Sequence, residues 1–99
     1  MINFYDANNA PVSAGINFGR VRLGESVEVL IYAKNEGKFP LIDLTFAADN
    51  PEVQILSAPR NLKVGCSEAM KLKWGPAVNS EFGLKCRVTW LGDELRGEE

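Results

Sequence analysis

The side chains able to do chemistry in this 99-residue chain are 13 acidic groups, 11 basic groups and two cysteines, with no histidine. Without imidazole there is no Ser/His/Asp or Cys/His nucleophile activation, no histidine general base and almost no route to a catalytic zinc site. Three carboxylate pairs lie close in sequence: Glu25 with Glu28, Asp49 with Glu52, and Asp93 with Glu94. Acid–base work by such a pair needs a cleft that holds the groups roughly 5 to 9 Å apart and raises one pKa. Each pair sits beside a turn, where solvation is the expected fate. Glycine-rich phosphate loops, Cys-x-x-Cys and Asn-x-Ser/Thr are absent. No cofactor, no metal and no enzymatic activity are expected.

Cys66 lies in the Val64-Gly65 turn and Cys86 in the middle of a strand, whereas an inter-sheet bridge in secreted immunoglobulin domains joins two mid-strand cysteines. The placing favours a buried free Cys86, acting as a small hydrophobe, over a Cys66–Cys86 bridge. Two thiols without histidine do not close a zinc site in one chain.

The elements that must position these groups show themselves by rhythm. Clusters of Gly, Pro and Asn recur at roughly eight- to fifteen-residue intervals, with β-branched and aromatic residues between them. No stretch keeps apolar residues at helical spacing for three turns. From Val27 onward, Val27, Val29, Ile31 and Ala33 share one face, and Glu28, Leu30, Tyr32 and Lys34 the other. The first set is expected to face the core. Asn35 to Pro40 forms a turn in which Gly37 takes positive φ and Asn35 bonds nearby backbone. In Leu41 to Ala48, Ile42, Leu44 and Phe46 point inward; Glu52 to Leu56 is a weaker strand. Met70, Leu72 and Trp74 lie opposite Lys71 and Lys73. Phe82 to Leu91 is the last strand, with Leu84, Cys86, Val88 and Trp90 inward and Lys85, Arg87 and Thr89 outward. Both tryptophans read as core rather than as a ligand platform. The sum is an all-β fold: an immunoglobulin-like β-sandwich of about seven strands in two antiparallel sheets.

Size and charge narrow the partners. A chain of 10.9 kDa is one small domain, which buries about two-thirds of its unfolded surface and leaves no room for a second lobe. The net charge of −2 gives no positive field for nucleic acid. Lys71 with Lys73 and Lys85 with Arg87 fall on opposite sheets and read as solvated, edge-protecting lysines. The longest clean apolar run, Val29 to Ala33, is far short of the roughly 18 residues of a membrane helix. The opening residues lack a secretory signal pattern, so cytosolic synthesis is expected. Leu30 and Tyr32, two large residues on the outward face of the strongest strand, read either as partly covered surface or as anchors of a protein contact. A second contact is expected from the opening segment, Ile2, Phe4 and Tyr5, joined through an Asn8-Asn9 linker and free to pair with a neighbour's sheet edge.

One stretch follows a known pattern: Ile16-Asn17-Phe18-Gly19-Arg20-Val21, then Leu23-Gly24-Glu25-Ser26, a long strand, and Lys34-Asn35-Glu36-Gly37 before Pro40-Leu41. It resembles the immunoglobulin-like domains of the ASH and major sperm protein superfamily. Their members read phenylalanine-glycine-x-valine, a glycine turn, a strand ending in asparagine-x-glycine, then proline-leucine. Leu62-Lys63-Val64-Gly65, Gly75-Pro76 and Glu81-Phe82-Gly83 fit the later part. The resemblance covers residues 16 to about 91, with residues 1–15 as an N-terminal arm or edge strand and residues 92–99 as an acidic tail or strand remnant. Similar single domains occur in tailed-phage virion proteins. The resemblance implies a structural, protein-binding module: an accessory virion protein such as a capsid decoration, neck or tail component, assembled in the host cytoplasm. Its partners would be capsid, neck or tail subunits and copies of itself on the particle. The alternative it implies is a cytoplasmic adaptor that docks a cytoskeletal partner or filament.

Overall fold

The computed structural model describes residues 1–12, 15–19, 24–75 and 84–96, and of Leu84 and Lys85 the backbone alone. The sequence features at Arg20, Val21, Leu23, Pro76 and Glu81-Phe82-Gly83, the side-chain directions expected of Leu84 and Lys85, and the last three residues lie outside these. Among the described residues eight strands follow in order: β1 (Ile2–Tyr5), β2 (Ile16–Gly19), β3 (Val27–Asn35), β4 (Leu41–Ala48), β5 (Val53–Ser57), β6 (Ser67–Trp74), β7 (Leu84–Cys86) and β8 (Val88–Glu94). All pairings between them are antiparallel.

One layer is a four-stranded sheet in the order β1-β3-β6-β5. Lettered A, B, E and D, this is the strand order of one sheet of an immunoglobulin constant-type domain. The other layer consists of the β2–β7 and β4–β8 ladders, which share the run of chain from Leu84 to Glu94. Together they form an all-β sandwich. Period-two alternation puts Ile31 and Ala33 of β3 and Met70, Leu72 and Trp74 of β6 in the core, each at most 2% exposed. Two edge-to-face aromatic pairs cross between the layers: Phe4 with Phe46 at 6.1 Å and Phe18 with Trp74 at 6.2 Å between ring centroids. Each such contact contributes about 0.5–1.5 kcal/mol beyond the area it buries.

Several local expectations are corrected. The opening segment is not a free arm: β1 pairs with β3 from Ile2↔Asn35 to Tyr5↔Tyr32, and Ile2 and Phe4 are buried at 5% and 4% exposure. Alternation along an edge strand leaves only Asn3 and Tyr5 on the outer face. The Asn8-Asn9 segment is a closed turn and not a loose linker. The Asp6 carboxylate accepts the Asn8 and Ala10 amides, and the Asp6 amide donates to the Ala10 carbonyl.

In β4 the inward residue just after the turn is Leu41, 1% exposed, with Ile42 half-buried. The register shifts between Ile42 and Thr45, and Asp43 takes φ 54°, so a bulge reverses the alternation before Leu44. Gly92 faces this bulge, and a Cβ there would lie 2.5 Å from Leu44 Cδ2. Gly37 is likewise required by close approach and not by positive φ, since a Cβ would come within 2.6 Å of the Met1 nitrogen.

The final segment divides in two. At Arg87 the chain leaves its ladder with β2 and joins β4, and β8 then continues to Glu94, beyond the expected end at Leu91. Asp49 holds the changeover: its carboxylate accepts the Arg87 amide at 3.0 Å and its amide donates to the Arg87 carbonyl at 2.9 Å. The Arg87 amide, with Cys86 adding a second hydrogen bond, holds this carboxyl below its ordinary range. Asp49 is thus a structural clamp and not simply a solvated group.

Candidate functional site: the outer face of the four-stranded sheet

Alternation that sends Ile31, Ala33, Met70 and Leu72 inward places Leu30, Tyr32 and Lys34 of β3 on the outer face, opposite Lys71, Ala69 and Ser67 of β6. Tyr5 of β1 stands across from Tyr32 on the other side. Three of the five residues nominated from the sequence, Leu30, Tyr32 and Tyr5, therefore come together on one face. Ile2 and Phe4 belong to the core behind it. Leu56 of β5, also exposed, was missed; it sits at the register shift between Ile55 and Ser57, where alternation does not fix a direction. Leu30 and Leu56 are 42% and 46% exposed, high values for leucines in sheet strands.

Charges frame this face. Glu28 lies 4.0 Å from Lys71, and both are about half exposed, so the pair adds little stability. At the far end Glu36 accepts hydrogen bonds from the Tyr5 hydroxyl at 2.7 Å and from the Asn3 amide. The Tyr5 hydrogen bond chiefly, then that from Asn3, holds the Glu36 carboxyl below its ordinary range, and the same bond pushes the Tyr5 phenol up. The Tyr5 ring is thereby fixed against the sheet.

Beyond Tyr5 and Tyr32 the face deepens into a cleft of about 320 Å³, walled on one side by Asp6, Ala7 and Asn9 and on the other by Gly65 and Ser67. A second, apolar concavity of about 490 Å³ at the end of the sandwich runs over the Leu41–Leu62 bridge, with Pro40, Ile42, Val64 and Leu95 around it.

Cys66 and Cys86 are both unbridged, Cys66 exposed and Cys86 buried, and burial chiefly pushes the Cys86 thiol up. Among the described residues no three Cys, Asp or Glu side chains converge as metal ligands, and no helix is long and apolar enough to cross a membrane. Trp74 is 2% exposed within the core, and Trp90 is half-buried against it, bordering a shallow concavity with Val88 and Thr89.

No family model matches the chain, and neither does any curated protein or solved structure.

Proposed function

We propose that this protein is a non-enzymatic interaction module that docks other protein subunits through the outer face of the β1-β3-β6-β5 sheet. The observation that carries this reading is the pair of large outward residues on β3, Leu30 at 42% exposure and half-buried Tyr32, on a sheet whose inward Ile31, Ala33, Met70 and Leu72 are buried. Tyrosine and leucine side chains flanked by charged groups have the anatomy of a contact core with a polar rim. The motif resemblance to single-domain tailed-phage virion proteins supports a role as a capsid decoration, neck or tail component. On a particle many equivalent copies meet equivalent neighbours, so a small domain with one contact face is retained by repetition.

Replacing Leu30 or Tyr32 by Ala is expected to weaken subunit binding by about 1–2 kcal/mol each. The urea unfolding midpoint should stay nearly unchanged, because neither side chain enters the core. A large loss of stability with binding intact would place these residues in the fold and not in the contact.

A further inference from the structure

We infer that the open edge of β8 is a pairing surface for a second copy of this chain, joined antiparallel about Leu91 so that two β4–β8 ladders form one four-stranded sheet. The second sheet of an immunoglobulin constant-type sandwich has three strands, with F between C and G. β4 and β8 hold the places of C and F, and among the described residues nothing pairs with β8 on the side away from β4.

The hydrogen-bonding groups on that side follow from those on the other. The Arg87 carbonyl accepts the Asp49 amide, and the Leu95 amide donates to the Pro40 carbonyl. The extra residue at the register shift belongs to β4, so β8 keeps its period of two from one contact to the other. Residues 87, 89, 91, 93 and 95 therefore address β4, and the amides and carbonyls of Val88, Trp90, Gly92 and Glu94 address the open edge.

The neighbouring edges are closed. Along β1 the Val12 amide donates to the Phe4 carbonyl and Tyr5 bridges Pro11. β4 is covered on its far side by the Leu41–Leu62 bridge and by the bond from the Leu44 amide to the Arg60 carbonyl. β5 is broken by its register shift, with Pro59 two residues beyond. By contrast, Val88 to Gly92 carries no charge, no proline and no irregularity. An edge left in that state is a template for another strand.

Symmetry and charge select a second copy as that strand. A two-fold axis normal to the sheet keeps inward residues inward, so residues of like parity must meet. Pairing about Leu91 uses β8 from Val88 to Glu94 in full and stops short of Cys86, whose partner is Ile16. Leu91, 76% exposed, then meets its own copy at the more closely spaced kind of cross-strand position. Thr89 falls opposite Asp93 of the second copy. Arg87, exposed and without a salt bridge among the described residues, stands diagonal to that carboxylate, within reach of a long side chain. The basic end of each strand thus lies against the acidic end of the other, and no like charges are opposed.

The test is sedimentation equilibrium of the full chain across about 10 to 500 µM, a range bracketing the Kd of roughly 50 µM expected where one strand pair buries less than a standard interface. The mass should rise from 10.9 kDa toward twice that value. Leu91→Lys should weaken dimerisation about tenfold or more while leaving the monomer's melting temperature unchanged, because the side chain lies outside the core. Leu30→Glu should leave the dimer intact, which separates this edge from the face that docks other subunits. With Cys66→Ser removing the exposed thiol, Leu91→Cys should give a disulfide-linked dimer on mild oxidation and Thr89→Cys none. The inference is overturned if the native chain stays at 10.9 kDa throughout, or if Leu91→Lys dimerises as tightly as the native chain. It is equally overturned if Thr89→Cys cross-links and Leu91→Cys does not.

Discussion

A fully buried amide side chain is tolerated only when its donors and acceptor are used, and Asn35 uses them. Its Nδ2 donates to the Phe39 and Leu62 carbonyls at 2.9 and 3.1 Å, and its Oδ1 accepts the Gly37 amide at 2.9 Å. Asn35→Ala is expected to cost about 2–4 kcal/mol in urea unfolding, since it strands one amide and two carbonyls. Glu36 contributes differently. Its folded pKa is depressed, so its stabilisation is present above the unfolded carboxylate value of about 4.3 and is lost as pH falls through the folded value. The melting-temperature gap between the native chain and Glu36→Gln should therefore close on acidification. Tyr5, whose pKa is raised, adds stability that is full below about pH 10 and fades as pH rises through its folded value. Both thiols are free, so reducing agent should leave the melting temperature unchanged. The role of Asn35 as a turn-holding residue was legible from Asn35-Glu36-Gly37. Its reach to Leu62 was not, because that contact spans 27 positions in sequence and depends on how two loops meet.

At the scale of elements, alternation was enough where a strand runs without interruption. The inward sets of β3 and β6 follow directly from their letters, and with them the outward Leu30 and Tyr32. It failed where backbone geometry interrupts the count, at the Asp43 bulge and at the Arg87 changeover. Neither leaves a mark in hydropathy; the one hint is Gly92, whose missing side chain admits Leu44. Gly92→Ala should destabilise the protein by about 1–3 kcal/mol, the usual range for overpacking, and the loss should fall on the β4–β8 ladder in hydrogen exchange. The opening segment was left open between an arm and an edge strand because four residues carry too little pattern to separate them, and it is the edge strand paired with β3. Its burial now predicts that Phe4→Ala costs about 3–5 kcal/mol in equilibrium unfolding. Deleting residues 1–5 should accordingly impair folding before it impairs assembly.

At the scale of the molecule, the sandwich encloses its apolar side chains and exposes a face that core packing does not require. Under the proposed docking, stability and contact are divided between the two sides of one sheet: Ile31 and Ala33 serve the interior, Leu30 and Tyr32 the exterior. This division lets the outer face change without loss of the fold, which is why the decisive experiment alters a single outward side chain. Extracts of cells producing the native chain or Leu30→Glu would be run on sucrose gradients and each chain followed by antibody. The native chain is predicted to sediment with large particles, and Leu30→Glu, folded and equally abundant, to remain at the top with free small proteins. Co-sedimentation of Leu30→Glu at native levels, or a native chain that never leaves the top of the gradient, would contradict docking through this face.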